Sequence, residues 1–520
     1  MNKRVIGIFV SSLVLLAIVL VGCGAPEEAG RETTDRIVVA IGAEPEALDP
    51  IAMSSAPAAT VSEHMTQPLV YMSPTGDLLP QLATEWEAAP DNLSWTLTLR
   101  EGVTFHDGTP FNAEAVKLNL DRFLDPDSAA PFAFLLSEVT SIDVVDEYTV
   151  RLSLDRPFAP IISHLSHTFI GMLSPAQFDT VAAGEAITEP IGTGPYRFVE
   201  WQRGERIVME ANPDFYGDAP AIPNAEFRFI TEDSARVVAL ETGEVDAIMS
   251  LPPAEAQRLA DSETITIEYP SSVRVLYIGF NTSSGPFADQ RVRQALNYAV
   301  NKDAIVNAVL QGAGQVSTAP VVPAVFGHSA QSPYSYDPDR ARELLAEAGY
   351  ADGFEIEFYH PTGRYPLDAT IAEAVQGMLS EVGITANLQT LEWSSYLATM
   401  RVAEEDALQD MHMFGWGTVT LDADYGLYAL FHSSVIAPDG WNTTYYANDT
   451  VDAILDEARA NPNRAERAAL YEEVIATLWE DAPWLYLHDV GQINAFSSDI
   501  SGLIHHPLEN LFVWNAEFVQ

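Results

Sequence analysis

Cysteine is almost absent from this 520-residue chain: Cys23 stands alone, so no intramolecular disulfide can form. Lysine is nearly as scarce, at Lys3, Lys117 and Lys302 only. Lysine and arginine together number 26 against 74 aspartates and glutamates, a net charge of −48. A surface so poor in positive charge repels nucleic-acid phosphates and anionic lipid headgroups, which excludes a nucleic-acid partner. Two physical readings of the acidity stay open. One is an ordinary solvated surface in an acidic proteome, the other an adaptation to high salt, where screening relieves self-repulsion.

Enzyme signatures are missing as well. There is no Gly-x-Ser-x-Gly, no His-Glu-x-x-His and no cysteine placed as a nucleophile. Gly192-Thr193-Gly194 lacks the Lys-Ser/Thr ending of a phosphate loop and the third glycine of a dinucleotide site, and reads as a backbone turn before a strand. His505 and His506 are adjacent, a spacing that rarely aims two side chains at one ion, and His106 reads as a structural hydrogen-bonding residue. A surface-anchored peptide hydrolase is the competing class, and nothing assembles its acid, base and nucleophile. No metal or cofactor is implied.

What is present describes a globular protein: 47% hydrophobic residues, 10% aromatics, 33 prolines and 31 glycines. The length predicts two or three domains. At the start, Lys3 and Arg4 precede an almost wholly apolar run from Val5 to Val21, and Leu20-Val21-Gly22-Cys23 has the form of a lipobox. The small Gly22 admits a signal peptidase and the Cys23 sulfur takes a diacylglycerol. An uncleaved membrane-spanning helix is the alternative, since the run nearly reaches spanning length; the position of the lone cysteine favours the lipoprotein. Two or more acyl chains would hold it at the membrane. Residues 1–22 are thus read as signal peptide and 23–35 as the lipidated cysteine and a polar tether.

The most informative stretch is Leu78 to Phe123. Trp95, Leu97 and Leu99 alternate with polar residues at the period of a half-buried strand, Phe105-His106-Asp107-Gly108 reads as a turn, and Asn112 is a good N-cap. Val116, Leu120, Phe123 and Leu124 then form one helix stripe. Further on, Arg291 to Leu310 reads as one long helix capped by Asp289, and Asp337-Pro338 starts another that stops at Gly349. Ile356–Tyr359, a helix from Asp368 to Glu381 and Ile384–Leu388 form a β-α-β unit, which predicts a parallel strand pair.

The Leu78–Phe123 stretch resembles the signature of the extracytoplasmic solute-binding proteins of peptide and nickel ABC importers, family 5. It carries Leu-x-Pro-x-Leu-Ala, a Trp, an Asp-Asn turn and Leu-Arg-x-Gly-Val-x-Phe-His-Asp-Gly-x-Pro before a helix. Asn212 to Gly217 and the segment from Glu232 to Ala247 are further matches. The resemblance implies an α/β, two-lobed periplasmic-binding-protein-like fold of type II with an extra subdomain and a two-strand hinge. It implies lobe I from 36–50, 187–272 and 489–520, the extra subdomain Ib from 51–186, and lobe II from 273–488.

The same resemblance implies a function: a monomeric binding lipoprotein that captures a short peptide between its lobes and delivers it to an ABC permease and its ATPase subunits outside the cytoplasm. Nickel chelates, haem and oligosaccharides are the alternative ligands within the family. Burying a peptide's two charged ends requires an acid and a planar bidentate base. Arg364 stands where dipeptide binders of the family hold the ligand carboxylate; its alternative is a surface arginine capping the following helix. Peptide binders commonly place an aspartate about three residues after the tryptophan, but here that position is Val419, and the acids come later at Asp422 and Asp424. This Gly-Thr-Val-Thr-x-Asp-Ala-Asp-Tyr run resembles the glutathione-binding branch, so either acid is a candidate for the ligand ammonium. Trp393, Tyr396 and Trp416 are candidate walls, and the backbone around Ser54 and Ser55 a candidate contact from lobe I.

Overall fold

The computed structural model describes residues 35–128, 130–178 and 187–519, so the signal peptide, Cys23 and nearly all of the tether lie outside the described residues. The described fold belongs to one unit, Asp35–Gln520.

Three sheets organise it. In the seven-stranded sheet, Arg36–Ile41 is central, parallel to Asn224–Phe229 on one side and Ala247–Ile248 on the other. Five of its six residues are buried, as expected for a strand covered on both faces. The six-stranded sheet has Ser271–Phe280 and Trp484–Gly491 as antiparallel neighbours, followed outward from the first by Met411–Gly417, Phe354–Pro361 and Ile384–Leu391. The β-α-β unit is there: Phe354 pairs with Ile384 in parallel register, and the helix runs Asp368–Glu381.

The third sheet, four-stranded and antiparallel, carries the signature stretch. Trp95, Leu97 and Leu99 of Ser94–Leu99 are buried against the helix Ala113–Leu124, whose first turn is closed by Asn112 Oδ1 accepting from Ala115 N at 3.0 Å. The helix turns Val116, Leu120 and Phe123 into that core. Gly192 and Gly194 prove to be packing glycines. A Cβ on Gly194 would stand 2.3 Å from the His64 carbonyl oxygen, so the chain there can only be glycine without a backbone shift.

The seven- and six-stranded sheets are joined by two adjacent crossings. Ile265–Glu268 leads through Tyr269 and Pro270 into Ser271–Phe280, and Trp484–Gly491 leads back through Gln492 and Ile493 into Asn494–Ser497. Gln492 N donates to Pro270 O at 3.0 Å, tying the crossings together. This is the two-strand hinge.

One expected element is corrected. The helix predicted from Arg291 to Leu310 ends at Ala299, because Val300 is extended and Asn301 caps a new helix by accepting from Ala304 N. The chain continues as Lys302–Ala304 and a π-helical turn, Ile305–Val309. Asparagine's preference for caps outweighs the apolar periodicity that runs through it.

Glu63, just after the helix Ala56–Ser62, is buried, and its carboxylate accepts from the Thr168 hydroxyl with no basic partner among the described residues. Burial raises its pKa to about 7, against the Thr168 hydrogen bond that lowers it. A carboxyl whose folded pKa lies above its unfolded value loses stability as pH rises from the unfolded pKa through the folded one. Glu63→Gln is therefore expected to gain roughly 1–3 kcal/mol over wild type at pH 8 and little at pH 4. Chemical denaturation at the two pH values checks this; an equal effect at both would contradict it.

Candidate functional site

A cavity of about 740 Å³ opens between the seven- and six-stranded sheets beside the hinge. One wall comes from the carboxyl end of Arg36–Ile41, the start of the helix Ala56–Ser62 and the Met249–Ala254 segment. The other comes from Arg274, the end of the π-helical turn and Arg364–Leu367, and the crossing 490–493 closes the hinge side. It has the dimensions and mixed apolar lining of a small-molecule site.

Arg364 lies on this wall. It follows Phe354–Pro361 in a tight loop that Asp368 organises: the Asp368 carboxylate accepts from the backbone N–H of Gly363, Arg364 and Tyr365 at 3.3, 2.9 and 3.2 Å. The guanidinium carbon sits 5.0 Å from the centroid of Trp393 and 5.1 Å from that of Tyr365. Trp393 in turn stacks on Tyr396 at 5.8 Å, and Tyr396 Oη donates to Met413 O at 2.6 Å. Tyr396 is 0% exposed, so it backs Trp393 and does not itself reach the cavity. The three form a stack that presents the guanidinium from a fixed base.

The two acids occupy a different place. Asp422 is 0% exposed and Asp424 2%. Arg467 Nη2 donates to Asp422 Oδ1 at 2.6 Å, and Arg459 makes a fork to Asp424 at 3.0 and 2.9 Å. Burial pushes the Asp422 carboxyl up, but the charge and hydrogen bond of Arg467, the Asp424 N–H and the Arg464 charge together outweigh it and hold the group below the usual carboxylate range. Ser163, on the side of the four-stranded sheet, also donates to Asp422 at 3.2 Å. Arg459 O accepts from Ala159 N at 2.8 Å and Ala460 O from Asn92 Nδ2 at 3.3 Å. An ammonium brought to either acid would have to share it with a guanidinium. The pairs tie the helix Ala423–Phe431 to Asp449–Ala460 and Arg464–Asp481 on the six-stranded-sheet side, and the contacts from Ser163, Ala159 and Asn92 meet that layer from the four-stranded side.

Trp416 stands beside this layer, tilted 30° against Tyr425 at 5.6 Å, with its indole N–H buried and without a hydrogen-bond partner. Ser54 and Ser55 turn their hydroxyls to Glu46, at 3.1 and 2.5 Å, and Ser55 Oγ accepts from Ala58 N at 3.3 Å. Their neighbours Ala56 and Pro57 line the cavity. The structure thus places Arg364, with Trp393 behind it, on one wall and the Ser54–Pro57 segment near the other, and sets Asp422, Asp424 and Trp416 apart. Two charged wall residues escaped the sequence reading, Arg274 and Glu509. Arg274 left a signal: it is the one charge within the strand Ser271–Phe280.

Among the described residues no group of three or more His, Cys, Asp or Glu could hold a metal ion. His505 and His506 separate, the first to Asn494 Nδ2 at 3.0 Å and the second to Met72 O at 3.2 Å. No described helix is long and apolar enough to cross a membrane.

Breaking a buried ion pair from one side leaves an uncompensated charge and costs about 3–5 kcal/mol. Arg467→Met is expected to lower unfolding stability by that order. Arg467→Met with Asp422→Leu should recover much of it. Urea titration of wild type, single and double variants measures both steps, and a double variant no better than the single would contradict the pairing.

Comparison with known proteins gives concordant findings. Residues 77–438 match the family described as bacterial extracellular solute-binding proteins, family 5. The glutathione-binding protein GsiB of Pectobacterium atrosepticum is 32% identical over 481 residues, 90% of this chain and 91% of that protein. HbpA2 from Haemophilus parasuis superposes with a TM-score of 0.87 at 26% identity, over 93% of this chain and 100% of that one. DppA from Helicobacter pylori, solved with the peptide STSA, gives 0.72 at 26% identity, over 93% and 98%.

Proposed function

The chain belongs to family 5 of the bacterial extracellular solute-binding proteins, and we propose that it captures a short peptide, of the di- or tripeptide or glutathione size, in the cavity beside the hinge. The observation that carries this reading is Arg364: a guanidinium on the cavity wall, stacked on Trp393 and without an acid partner among the described residues, in a chain with nearly three acids for every base. A carboxylate ligand supplies the partner that the protein withholds. The GsiB relatives and the peptide-bound DppA neighbour support the same ligand class.

The protein binds without turnover. Closing the two sheets about the paired crossings shields the ligand from water, and the closed form is what an ABC permease receives. Cys23 carries the lipid that keeps the protein at the membrane, as a monomer outside the cytoplasm, on a tether of about a dozen residues. Cys23→Ala is expected to move it from the membrane to the soluble fraction, or to leave it unprocessed, with unchanged peptide affinity. Fractionation with unchanged processing and location would contradict the anchor.

Arg364→Ala tests the capture. Loss of a ligand-paired charge costs about 2–5 kcal/mol, and because Arg364 is exposed on the wall, solvent screening places the effect at the low end, roughly thirtyfold in Kd. Arg364→Lys is expected to weaken binding as well, since an ammonium lacks the bidentate fork. Calorimetric titration with a tripeptide, and with the same peptide amidated at its C-terminus, reads the result. Amidation should weaken binding to wild type and add nothing in Arg364→Ala. Additive losses would overturn the pairing.

A further inference from the structure

The cavity wall carries three charged side chains among the described residues: Arg274, Arg364 and Glu509. The wall is net positive by one charge inside a protein of net charge −48. His488 is also on it, but burial lowers its pKa to about 4, so it is neutral at pH 7. Random placement in so acidic a chain would put acids there instead.

The two arginines share one cavity wall. Arg274 projects from Ser271–Phe280 opposite Gly417, and its guanidinium lies against that glycine: a Cβ on Gly417 would meet Nη2 at 3.6 Å. Tyr365 is on the same wall. The Arg364 guanidinium carbon lies 5.1 Å from its ring centroid, and its hydroxyl donates to Gly415 O at 3.3 Å, two residues along Met411–Gly417 from the glycine that Arg274 lies against. Neither arginine has an ion pair or a side-chain hydrogen bond among the described residues. Two guanidinia on one cavity wall without a counter-ion among the described residues favour an anionic group in that cavity.

Glu509 has the complementary property. It sits in the turn between Ile504–His506 and Asn510–Phe512 with φ of +64°, a left-handed conformation uncommon for glutamate. Its N–H donates to His506 O at 3.1 Å, and its carboxylate has no basic partner among the described residues. Glu509 holds the left-handed position that closes a three-residue hairpin loop, and the turn sets the direction in which the side chain leaves the backbone.

We propose that this cavity is built for a peptide with two carboxylates and one ammonium: Arg364 takes the C-terminal carboxylate, Arg274 the second carboxylate, and Glu509 the ammonium. The inference rests on peptide capture in this cavity and adds its selectivity. The ligand class is a small peptide of net charge −1, a description met by γ-glutamyl peptides and by α-linked peptides with one acidic side chain.

Calorimetric titration of the purified protein tests it, with glutathione, Ala-Ala-Glu and Ala-Ala-Ala as probes. Wild type should bind glutathione or Ala-Ala-Glu at least about tenfold more tightly than Ala-Ala-Ala. Preference for glutathione alone identifies the γ-linkage, and equal binding of both diacids identifies charge alone as the criterion. Arg274→Gln should remove that preference, weakening the diacid about tenfold and leaving Ala-Ala-Ala within twofold. Glu509→Gln should weaken all the peptides that wild type binds, and N-acetylation should add no further loss in that variant. Melting temperatures are recorded in parallel, and Arg274→Lys, which keeps the charge, should retain part of the preference. Equal weakening of diacid and trialanine by Arg274→Gln, or none, overturns the assignment while leaving peptide capture standing. Failure of wild type to bind any of the three overturns both.

Discussion

Two antiparallel neighbours, Ser271–Phe280 and Trp484–Gly491, set the constraint on which the rest of the molecule depends. They are interior strands of the six-stranded sheet, and both continue into the seven-stranded one through 269–270 and 492–493. Because the same hydrogen-bonded pair forms a sheet core and both crossings, the two sheets can bend about that line but cannot part. The cavity lies against this line, with lining residues from both sides of it. Arg274, three residues into the first crossing strand, and His488, three residues before the end of the returning one, are therefore wall residues by topology.

Charge is distributed with a division of labour. Asp422 and Asp424 are consumed by Arg467 and Arg459 in a buried layer where six-stranded and four-stranded sides meet. Such pairs contribute little net stability, since desolvation offsets attraction, but they make the alternative of a bare buried charge costly and so fix how the three helices that carry them pack. On the cavity wall the rule is reversed, and Arg274, Arg364 and Glu509 are left without partners of opposite charge among the described residues. In a chain with only 26 basic residues, leaving two arginines unpaired at one cavity is the electrostatic feature most directly tied to binding.

The parts of this architecture readable in the sequence are those governed by local rules. The Ser94–Leu99 alternation, the Asn112 cap and the Asp337-Pro338 start depend on neighbours a few residues away, and all appear as read. The β-α-β unit around Asp368–Glu381 does too. The helix expected from Arg291 to Leu310 failed at Asn301, where a cap competes with an uninterrupted apolar pattern. The site was less legible, because its partners are distant in sequence. Asp422 meets Arg467 across 45 residues and Ser163 across 259, and no periodicity announces either contact. Glu509 reaches the cavity from a hairpin turn that nothing near it marks as a site. Arg364 was accessible to reading only through family resemblance, whereas its stack on Trp393 and Tyr396 required the fold.

The central claim is that the cavity beside the hinge, with Arg364 on its wall, is where a short peptide is held. A crystal structure of the protein with glutathione tests it most directly. The account predicts the ligand between the two sheets, with a carboxylate in a two-point contact to the Arg364 guanidinium and the Asp422–Arg467 and Asp424–Arg459 pairs intact. A ligand whose ammonium displaces Arg467 or Arg459, or one bound with no carboxylate near Arg364, would contradict it.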